Sequence, residues 1–317
     1  MEHRRLGESG LKVSAVGLGS WLTFGSALDD DAGRDCLRTA IEGGVNLIDT
    51  ADVYARGEAE AFLGRALRDY RRQDLVVATK VYFPMSDGPN DRGLSRKHVM
   101  ESCHGSLKRL GLEAIDLYQC HRYDPETPLE ELVRAMDDLI RQGKVLYWGV
   151  SCWTAAQLEA VCEVARRLLA PPPVSNQPPY NLLQREVEAE VLPASRRLGI
   201  GQLAFSPLAQ GLLSGKYQGG RIPPASRLAD DRRNRWMKER LTEDNFRIVD
   251  ALLAVAADLG VAPATLAVAW TLRDPAVASA IVGATRPEQV RANLAAATLR
   301  LDPEALARLD AAVEVRA

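Results

Sequence analysis

Short apolar runs alternate with amphipathic stretches along the whole chain, and this alternation predicts strands and helices in regular succession. Each run is four to seven residues long, which is the usual length of a buried strand. Several are apolar on both faces, as expected for parallel strands that helices cover. The eight predicted strands are Val13–Gly17, Val45–Thr50, Leu75–Val81, Ile115–His121, Val145–Ser151, Val174–Gln177, Ile200–Ser206 and Ser279–Ala284.

The stretches between these runs carry helix start and stop signals. Thr127–Glu130 predicts a capping box with proline at the first helical position, and Gly143 predicts the end of that helix. Thr154–Gln157 predicts a second capping box. The helix that ends at Gly260 has a stripe predicted to be buried, formed by Ile248, Leu252, Val255 and Leu259.

Eight strands, each followed by a helix, predict a (β/α)8 barrel with right-handed crossovers. No linker divides the chain, so residues 1–317 are predicted to form a single domain. The segment from Pro207 to about Arg240, after the seventh strand, is an unusually long loop, and such loops are often functional. A doubly wound dinucleotide fold is the alternative. It needs a third glycine that Gly17–Leu22 lacks.

Composition narrows the class of protein. Charged residues make up 26% and hydrophobic residues 46%, and the net charge of −2 gives no sign of nucleic-acid binding. Five cysteines without a C-x-x-C pair are typical of a reducing cytoplasm. The uncharged run Val13–Leu28 is too polar for a signal segment or a membrane span. We therefore expect a cytoplasmic protein without membrane insertion.

Four polar residues end or follow the second, third and fourth predicted strands: Asp49, Tyr54, Lys80 and His121. The carboxyl ends of barrel strands carry the active sites of such folds. Lys80 is one of only seven lysines against thirty-three arginines, and lysine has the cationic side chain whose pKa shifts readily on burial. A structural ion pair would explain an isolated lysine or aspartate equally well. Four complementary groups at strand ends favour an active site over a structural ion pair.

These four groups suggest separate roles in protonating a carbonyl substrate. The pKa of tyrosine is too high for an efficient acid at neutral pH, and the ammonium of Lys80 is expected to lower the pKa of Tyr54. Asp49 can supply the counter-charge that a buried lysine needs. His121 could polarise or orient a substrate oxygen. Together they would protonate a carbonyl oxygen while a hydride reaches its carbon.

Several long motifs give the chain a family resemblance. Gly44–Tyr54, with Glu58 and Gly64 after it, closely resembles the aldo-keto reductase signature. The resemblance covers essentially the whole chain. Further motifs resemble the branch of voltage-gated potassium channel β-subunits and their bacterial relatives: Arg92–His98, Val133–Met136, Tyr147–Ser151 and Phe205–Tyr217.

The resemblance implies a (β/α)8 barrel, with an N-terminal β-hairpin, that reduces carbonyls with NADPH. Carried over by position, Tyr54 is the general acid, Lys80 and Asp49 tune it, and His121 orients the carbonyl. Channel-associated members carry Asn at the position of His121, so histidine favours ordinary reductase activity. The branch also implies a homo-oligomer, a tetramer or a larger ring.

The resemblance also implies cofactor contacts. Ser20 and Trp21 should flank the nicotinamide, and Ser151 and Gln177 should hydrogen-bond its carboxamide. Phe205 should stack on the ring, where relatives usually have Trp or Tyr. The other implied positions in the strand-end loops and the long loop are Asp49, Cys152, Ser206, Pro207, Leu208, Ala209, Gln210, Gly211, Lys216 and Arg227.

Three of this chain's residues depart from the pattern of the branch. Cys152 stands where relatives usually have Asn or Arg, and this change affects one expected nicotinamide contact. Ala27 and Ala292 replace a Gln and a Glu that contact the cofactor in the channel branch, which predicts weaker binding there.

The end of the last strand predicts a phosphate site on physical grounds. Residues 282–288 end a strand and open a helix, and include Gly283, Thr285 and Arg286. The eighth loop of a barrel and a helix N-terminus together favour an anion. Arg286 suits the doubly charged 2′-phosphate of NADPH. Without the family resemblance, a solvated arginine at the start of a helix is the preferred interpretation of this residue. Gln289 and Asn293, one helical turn apart, could reach the adenine.

Three functions compete. The leading one is an NADPH-dependent reductase of a small-molecule carbonyl substrate. The second is an NADP(H)-binding sensor or regulatory subunit with slow turnover. The third is a metal-dependent barrel hydrolase using Asp49 and His121, which four histidines and the lack of an H-x-x-x-H motif disfavour. The chain has aromatic residues that could line a substrate pocket or simply stack at the barrel rim: Trp21, Tyr82, Phe83 and Trp236.

Overall fold

Eight parallel strands close into a barrel in the computed structural model, which describes residues 1–224, 226–230, 234 and 238–314. Each strand pairs with its neighbours in chain order, and the last pairs with the first to close the ring. The barrel strands are β3 (Val16–Gly19), β4 (Leu47–Asp49), β5 (Val76–Val81), β6 (Ile115–Cys120), β7 (Val145–Ser151), β8 (Ser175–Gln177), β9 (Gly201–Phe205) and β10 (Val277–Val282). The predicted barrel is confirmed, and the doubly wound alternative is wrong.

A ring of helices covers the outside of the barrel. The ten helices of the described residues are α1 (Asp30–Glu42), α2 (Glu58–Ala66), α3 (Arg96–Leu110), α4 (Leu129–Arg141), α5 (Ala155–Arg167), α6 (Val191–Leu198), α7 (Glu243–Asp258), α8 (Pro263–Thr271), α9 (Pro287–Leu294) and α10 (Pro303–Glu314). The long loop that follows the seventh barrel strand separates β9 from α7, as predicted. Trp236, a predicted pocket residue, lies outside the described residues.

An antiparallel hairpin, β1 (His3–Arg5) and β2 (Lys12–Ser14), precedes the barrel. Leu6 and Val13 pack into the barrel's interior core, so the hairpin closes its N-terminal end. The predicted strand Val13–Gly17 is therefore wrong in its bounds. The predicted range runs from the end of β2 to the start of β3. Between these strands the chain bends, and the hydroxyl of Ser14 donates to the carbonyl of Val16 (2.7 Å).

One of the two predicted capping boxes forms. Thr154 accepts from the backbone N–H of Gln157, and the Gln157 side chain accepts from the backbone of Thr154. The predicted box at Thr127 is wrong, because its hydroxyl donates instead to the buried carboxylate of Asp124 (2.7 Å). Leu259, predicted to be buried, follows the end of α7 and is 37% exposed.

Within the described ranges, no single helix is both long enough and apolar enough to cross a membrane. The helices α7 and α8 meet the length and composition only when taken as a pair, and that pair is bent by 104°.

The barrel interior changes from apolar to polar along the strands. The lower layer contains Leu47, Ala78, Leu117 and Leu203. Toward the carboxyl ends of the strands, the buried interior side chains are polar: Ser20, Asp49, Lys80, Gln119 and Gln177. The fold therefore gathers polar groups from several strands in one buried layer, which must be satisfied internally.

Candidate active site

Lys80 lies at the centre of this polar layer and is completely buried. Its ammonium donates to Asp49 Oδ1 (2.6 Å), the carbonyl of Thr50 (2.7 Å) and the hydroxyl of Tyr54 (3.3 Å). Burial lowers the pKa of Lys80, but the charge of Asp49 and the hydroxyl of Tyr54 outweigh it, so the pKa is raised. The lysine is thus a charged ammonium whose three donors are directed by three partners.

Asp49 is held from the opposite side by two amides. Its Oδ2 accepts from Gln177 Nε2 (2.8 Å) and from Gln119 Nε2 (3.4 Å). These donors belong to β8 and β6, while Asp49 ends β4 and Lys80 lies on β5. Four strands therefore fix the position of the ion pair, which leaves little freedom for the ammonium to move away from Tyr54.

Tyr54 stands on a strained turn between β4 and α2. Ala55 and Arg56 have φ of 48° and 53°, and Gly57 has φ of 92°. The first two are left-handed conformations that ordinary residues rarely adopt and that cluster at functional sites. At Gly57, a Cβ would lie 2.8 Å from Arg109 Cδ. The turn thus aims the phenol into the barrel and starts the next helix immediately afterwards.

The Lys80 ammonium lowers the pKa of Tyr54, as expected, but the net pKa of Tyr54 is nevertheless raised. Burial raises the pKa of Tyr54, and this effect outweighs the lowering by the Lys80 ammonium, while the Asp49 charge adds to the rise. The phenol is therefore protonated at neutral pH. That is the form an acid needs before it gives up its proton.

The imidazole of His121 lies beside Tyr54. Their ring centroids are 5.7 Å apart in an edge-on arrangement, and the ring of Phe83 contacts His121 from another side at 4.9 Å. Burial, with Lys80 and Arg122 nearby, holds the pKa of His121 well below its usual value, so the ring is neutral. Its Nδ1 is buried and has no hydrogen-bond partner among the described residues.

The predicted nicotinamide contacts lie at the carboxyl ends of their strands. Ser20 donates to Thr50 Oγ1 (2.8 Å), which places it next to the Lys80 network. Ser151 donates to the carbonyl of Gln177 (2.8 Å). Phe205 ends β9, half-buried at the rim. The structure thus brings these residues to one end of the barrel.

Cys152 continues that rim in an uncommon backbone conformation. Its φ is 59°, and its backbone N–H donates to the carbonyl of Gln177 (3.1 Å). The thiol is half-buried and lies 3.7 Å from the same carbonyl. The short thiol therefore stays against the strand ends.

The first part of the long loop, residues 206–216, is a series of tight turns. Ser206, Ala209 and Gln210 have φ of 55°, 45° and 58°, and Gly211 has φ of 101°. Backbone that alternates between left- and right-handed conformations forms concavities that bind anions. The ammonium of Lys216 adds a charge, since a Cβ on Gly211 would lie only 2.9 Å from Lys216 Nζ. Pro207 and Leu208 belong to the same turns.

Two contacts connect this loop to the rest of the rim. The guanidinium of Arg227 lies over the ring of Trp21, 5.4 Å from its centroid. Gln210 Oε1 is buried without a hydrogen-bond partner among the described residues. The loop therefore reaches across to the β3 end of the barrel and leaves a polar atom for a further partner.

The predicted phosphate site precedes α9. Arg286 is exposed and is the N-cap, followed by Pro287 at the first helical position, and Gly283 is exposed beside them. Thr285 donates through its backbone N–H (2.8 Å) and its hydroxyl (3.1 Å) to Gln289 Oε1. Gln289 is thus tied to the helix start rather than extended toward solvent. Asn293 is almost completely buried, at 2% exposure.

Sequence reasoning missed three residues that contact this site. Gln119 supports Asp49, and its signal was a polar residue inside an apolar strand. Arg122 directly follows His121 and lies over the Phe83 ring at 5.5 Å. Asp52, two residues before Tyr54, is buried and accepts from Ser102 (2.7 Å). Nothing in the local pattern distinguished Arg122 from the other arginines.

The structure also bears on the metal-dependent alternative. Among the residues it describes, no group of three or more His, Cys, Asp or Glu side chains is placed to hold a metal ion. The carboxylate of Asp49 already accepts hydrogen bonds from Lys80, Gln119 and Gln177. The hydrolase hypothesis therefore gains no support from the geometry.

Comparisons with known proteins agree with the architecture. A family model described as the aldo/keto reductase family matches residues 15–314. A protein of Oryza sativa subsp. japonica, described as a probable voltage-gated potassium channel subunit beta, is 44% identical over 319 residues, covering 99% of this chain and 97% of that protein. An Arabidopsis thaliana protein with the same description is 44% identical over 299 residues, covering 93% of this chain and 91% of that protein.

Proposed function

The chain belongs to the aldo/keto reductase family, and we propose that it is an oxidoreductase that reduces aldehydes and ketones to alcohols with NADPH. The proposal rests on one observation above all. A buried ammonium, Lys80, lies 3.3 Å from the hydroxyl of a protonated Tyr54 and is held there by Asp49. This is the arrangement that general-acid protonation of a carbonyl oxygen requires.

Tyr54 acts as the acid. The phenol donates its proton to the carbonyl oxygen as that oxygen becomes an alkoxide, which is a stronger base than the phenolate left behind. The Lys80 ammonium then stabilises the phenolate through a charge-assisted hydrogen bond. Asp49 keeps the ammonium in place, so no reorganisation is needed at the moment of proton transfer.

His121 orients the substrate. Because its pKa is well below the usual value, the ring is neutral and does not compete with Tyr54 as a charged acid. A neutral imidazole can donate one N–H to the carbonyl oxygen. The two groups together fix both the oxygen and the plane of the carbonyl.

The residues at the rim fit a nicotinamide dinucleotide phosphate. Trp21 and Phe205 offer aromatic faces, and Ser151 and Gln177 offer polar atoms beside them. Lys216 in its tight turn and Arg286 at the start of α9 offer positive charge for phosphate groups. NADPH supplies the hydride when bound, and the protein's part is to bind it, orient the carbonyl and deliver the proton.

The alternative is an NADP(H)-binding regulatory subunit with slow turnover. What supports it is the description of the two plant relatives as probable channel subunits. Such a protein would hold the cofactor tightly at the same rim and would need little catalysis from Tyr54. The two functions therefore differ in turnover rather than in cofactor binding.

The deciding experiment compares wild type with Tyr54→Phe in NADPH oxidation with a panel of aromatic and aliphatic aldehydes. Loss of the acid should lower turnover by about 10²- to 10⁴-fold, while NADPH affinity is unchanged because the phenol hydroxyl is not needed to bind it. Tyr70→Phe is the matched control. Tyr70 packs against the apolar cluster between β4, β5 and their helices, and its variant should retain wild-type turnover.

The other outcomes separate the hypotheses. Tight NADPH binding without turnover in wild type would favour the regulatory subunit. Failure to bind NADPH at all would contradict both.

A further inference from the structure

Arg122 places a positive charge at the entrance of the candidate active site. Its guanidinium carbon is 5.5 Å from the centroid of the Phe83 ring, and that ring contacts His121. The charge is close enough to lower the pKa values of both Tyr54 and His121. The guanidinium is therefore within electrostatic reach of the two groups proposed to hold the carbonyl oxygen.

This guanidinium has most of its donors left over. Among the described residues its one hydrogen bond goes from Nη1 to the carbonyl of His121 (2.6 Å), and no carboxylate pairs with it. Arginine has five N–H donors in a planar fork that matches a carboxylate. Other arginines of the chain are paired: Arg109 with Glu60, and Arg96 with Asp138.

The surrounding charges do not neutralise Arg122. Lys80 and Asp49 cancel each other as a buried pair, and His121 is neutral. Asp124, two residues farther along, is buried and accepts from the backbone N–H of Leu94 and from two donors of its own loop, the backbone N–H of Glu126 and the hydroxyl of Thr127. Among the residues that the structure describes, Arg122 is therefore a guanidinium without an ion-pair partner, and it lies beside the aromatic ring of Phe83.

We propose that Arg122 binds a carboxylate of the carbonyl substrate, so that the preferred substrates are aldehydes or ketones with a carboxylate away from the reacting carbonyl. This rests on the proposed reductase function. The carbonyl oxygen lies at Tyr54 and His121, the body of the substrate lies along Phe83, and the carboxylate meets the guanidinium fork. The cation–π contact with Phe83 restricts the Arg122 side chain before the substrate binds, and this reduces the conformational entropy that is lost on binding.

The test measures kcat/KM for 4-carboxybenzaldehyde and for its uncharged methyl ester, methyl 4-formylbenzoate. Wild type should prefer the acid. In Arg122→Gln the ratio of the two kcat/KM values should fall by about 10- to 100-fold, the range expected for loss of a hydrogen-bonded charge. Arg122→Lys should retain part of the preference, because it keeps the charge and loses the fork.

Controls separate recognition from support of the fold. Arg134→Gln removes an exposed arginine on α4 and should leave the ratio unchanged. A merely structural role for Arg122, through the carbonyl of His121, would slow both substrates equally. An unchanged ratio in Arg122→Gln would therefore overturn the proposal. If wild type reduced neither aldehyde, this result would contradict the proposed reductase function and also the proposed role of Arg122.

A second measurement needs no variant. Benzoate should inhibit reduction of the neutral ester competitively, and benzamide, which has the same shape without the charge, should inhibit much more weakly. Equal inhibition by the two compounds would contradict recognition of a carboxylate by Arg122.

Discussion

Asp52 is a buried acid that forms no ion pair with a described residue. It accepts from Ser102 Oγ (2.7 Å) and from the backbone N–H of Val53 (2.6 Å), and Glu60 lies nearby. Burial raises the pKa of Asp52 from 3.8 to about 7, and the Glu60 charge adds to the rise. The carboxyl lies two residues before Tyr54 and accepts from the backbone N–H of Val53, the residue that precedes Tyr54.

The sign of the resulting pH dependence follows from these values. Because the pKa is higher in the folded protein, the folded state binds more protons between about pH 4 and pH 7, and this contribution to stability is lost as pH rises through that window. Asp52→Asn should abolish that loss. Relative to wild type, the variant should gain on the order of 2–4 kcal/mol in free energy of unfolding between pH 4 and pH 7.5.

Urea unfolding of the two proteins across that range gives the measurement. The control is Asp69→Asn, an exposed carboxylate paired with Arg34, which should show no comparable trend. A constant difference between Asp52→Asn and wild type at every pH would show that folding does not shift the pKa of Asp52 and would contradict the prediction.

At the scale of elements, the turns of residues 206–216 combine backbone strain with charge. Three ordinary residues in left-handed conformations cost about 1–3 kcal/mol each, and such strain persists where the surrounding structure enforces it. Asn181 contributes, because its side-chain amide donates to the carbonyl of Ser206 (3.0 Å). Within these turns Lys216 lies beside Gly211, where we propose that its ammonium binds a phosphate group.

Gly211→Ala should weaken NADPH binding. The new Cβ would lie 2.9 Å from Lys216 Nζ and force the ammonium to move, so we expect a rise in Kd of about tenfold. Gly219→Ala is the matched control in the same loop. Gly219 also has positive φ (62°) but open space around it, so its variant should lose about 1 kcal/mol of stability without a change in affinity.

Titration of NADPH against protein fluorescence, with urea unfolding of each variant, separates the two effects. Equal loss of affinity in both variants would attribute the effect to backbone strain alone and leave Lys216 without the proposed role.

At the scale of the whole molecule, the candidate cofactor site draws on distant parts of the chain. Ser20 and Trp21 follow the first barrel strand, Lys216 lies in the loop after the seventh, and Arg286 follows the last. Closure of β10 onto β3 brings the ends together. We propose that residues 1–317 are a single domain for this reason. A tetramer or larger ring, and a cytoplasmic location, stay predictions.

A ligand that joins these segments should stabilise all of them at once. Thermal unfolding should show one transition, and NADPH at 100 times its Kd should stabilise the protein by about 2.7 kcal/mol. At equal concentration NADH should shift the transition less, because it lacks the 2′-phosphate proposed to meet Arg286. Arg286→Ala should remove most of the difference between the two cofactors.

Arg291→Ala, which removes an exposed arginine from the same helix, is the control and should keep the preference. Equal shifts by NADPH and NADH in wild type would contradict the assignment of Arg286.

The sequence by itself determined the order of elements and the neighbourhood of the site. Apolar runs of strand length and the helices between them are local signals, and the right-handed crossover rule turns them into a barrel whose strand ends meet. Asp49, Lys80 and His121 were thereby predicted to lie near one another. The resemblance supplied their proposed roles, which the contacts of Lys80 with Asp49 and Tyr54 support.

Only the tertiary structure decided what depends on burial and on partners from elsewhere in the chain. The predicted cap at Thr127 is not formed, because the Thr127 hydroxyl donates to Asp124, and the first predicted strand is divided at a bend where the Ser14 hydroxyl donates to the carbonyl of Val16. The net pKa of Tyr54 is a balance between desolvation and the Lys80 ammonium, which a linear pattern does not weigh. The role proposed for Arg122 was not predicted for the same reason. Whether a guanidinium has an ion-pair partner among the described residues depends on its surroundings and not on its position in the sequence.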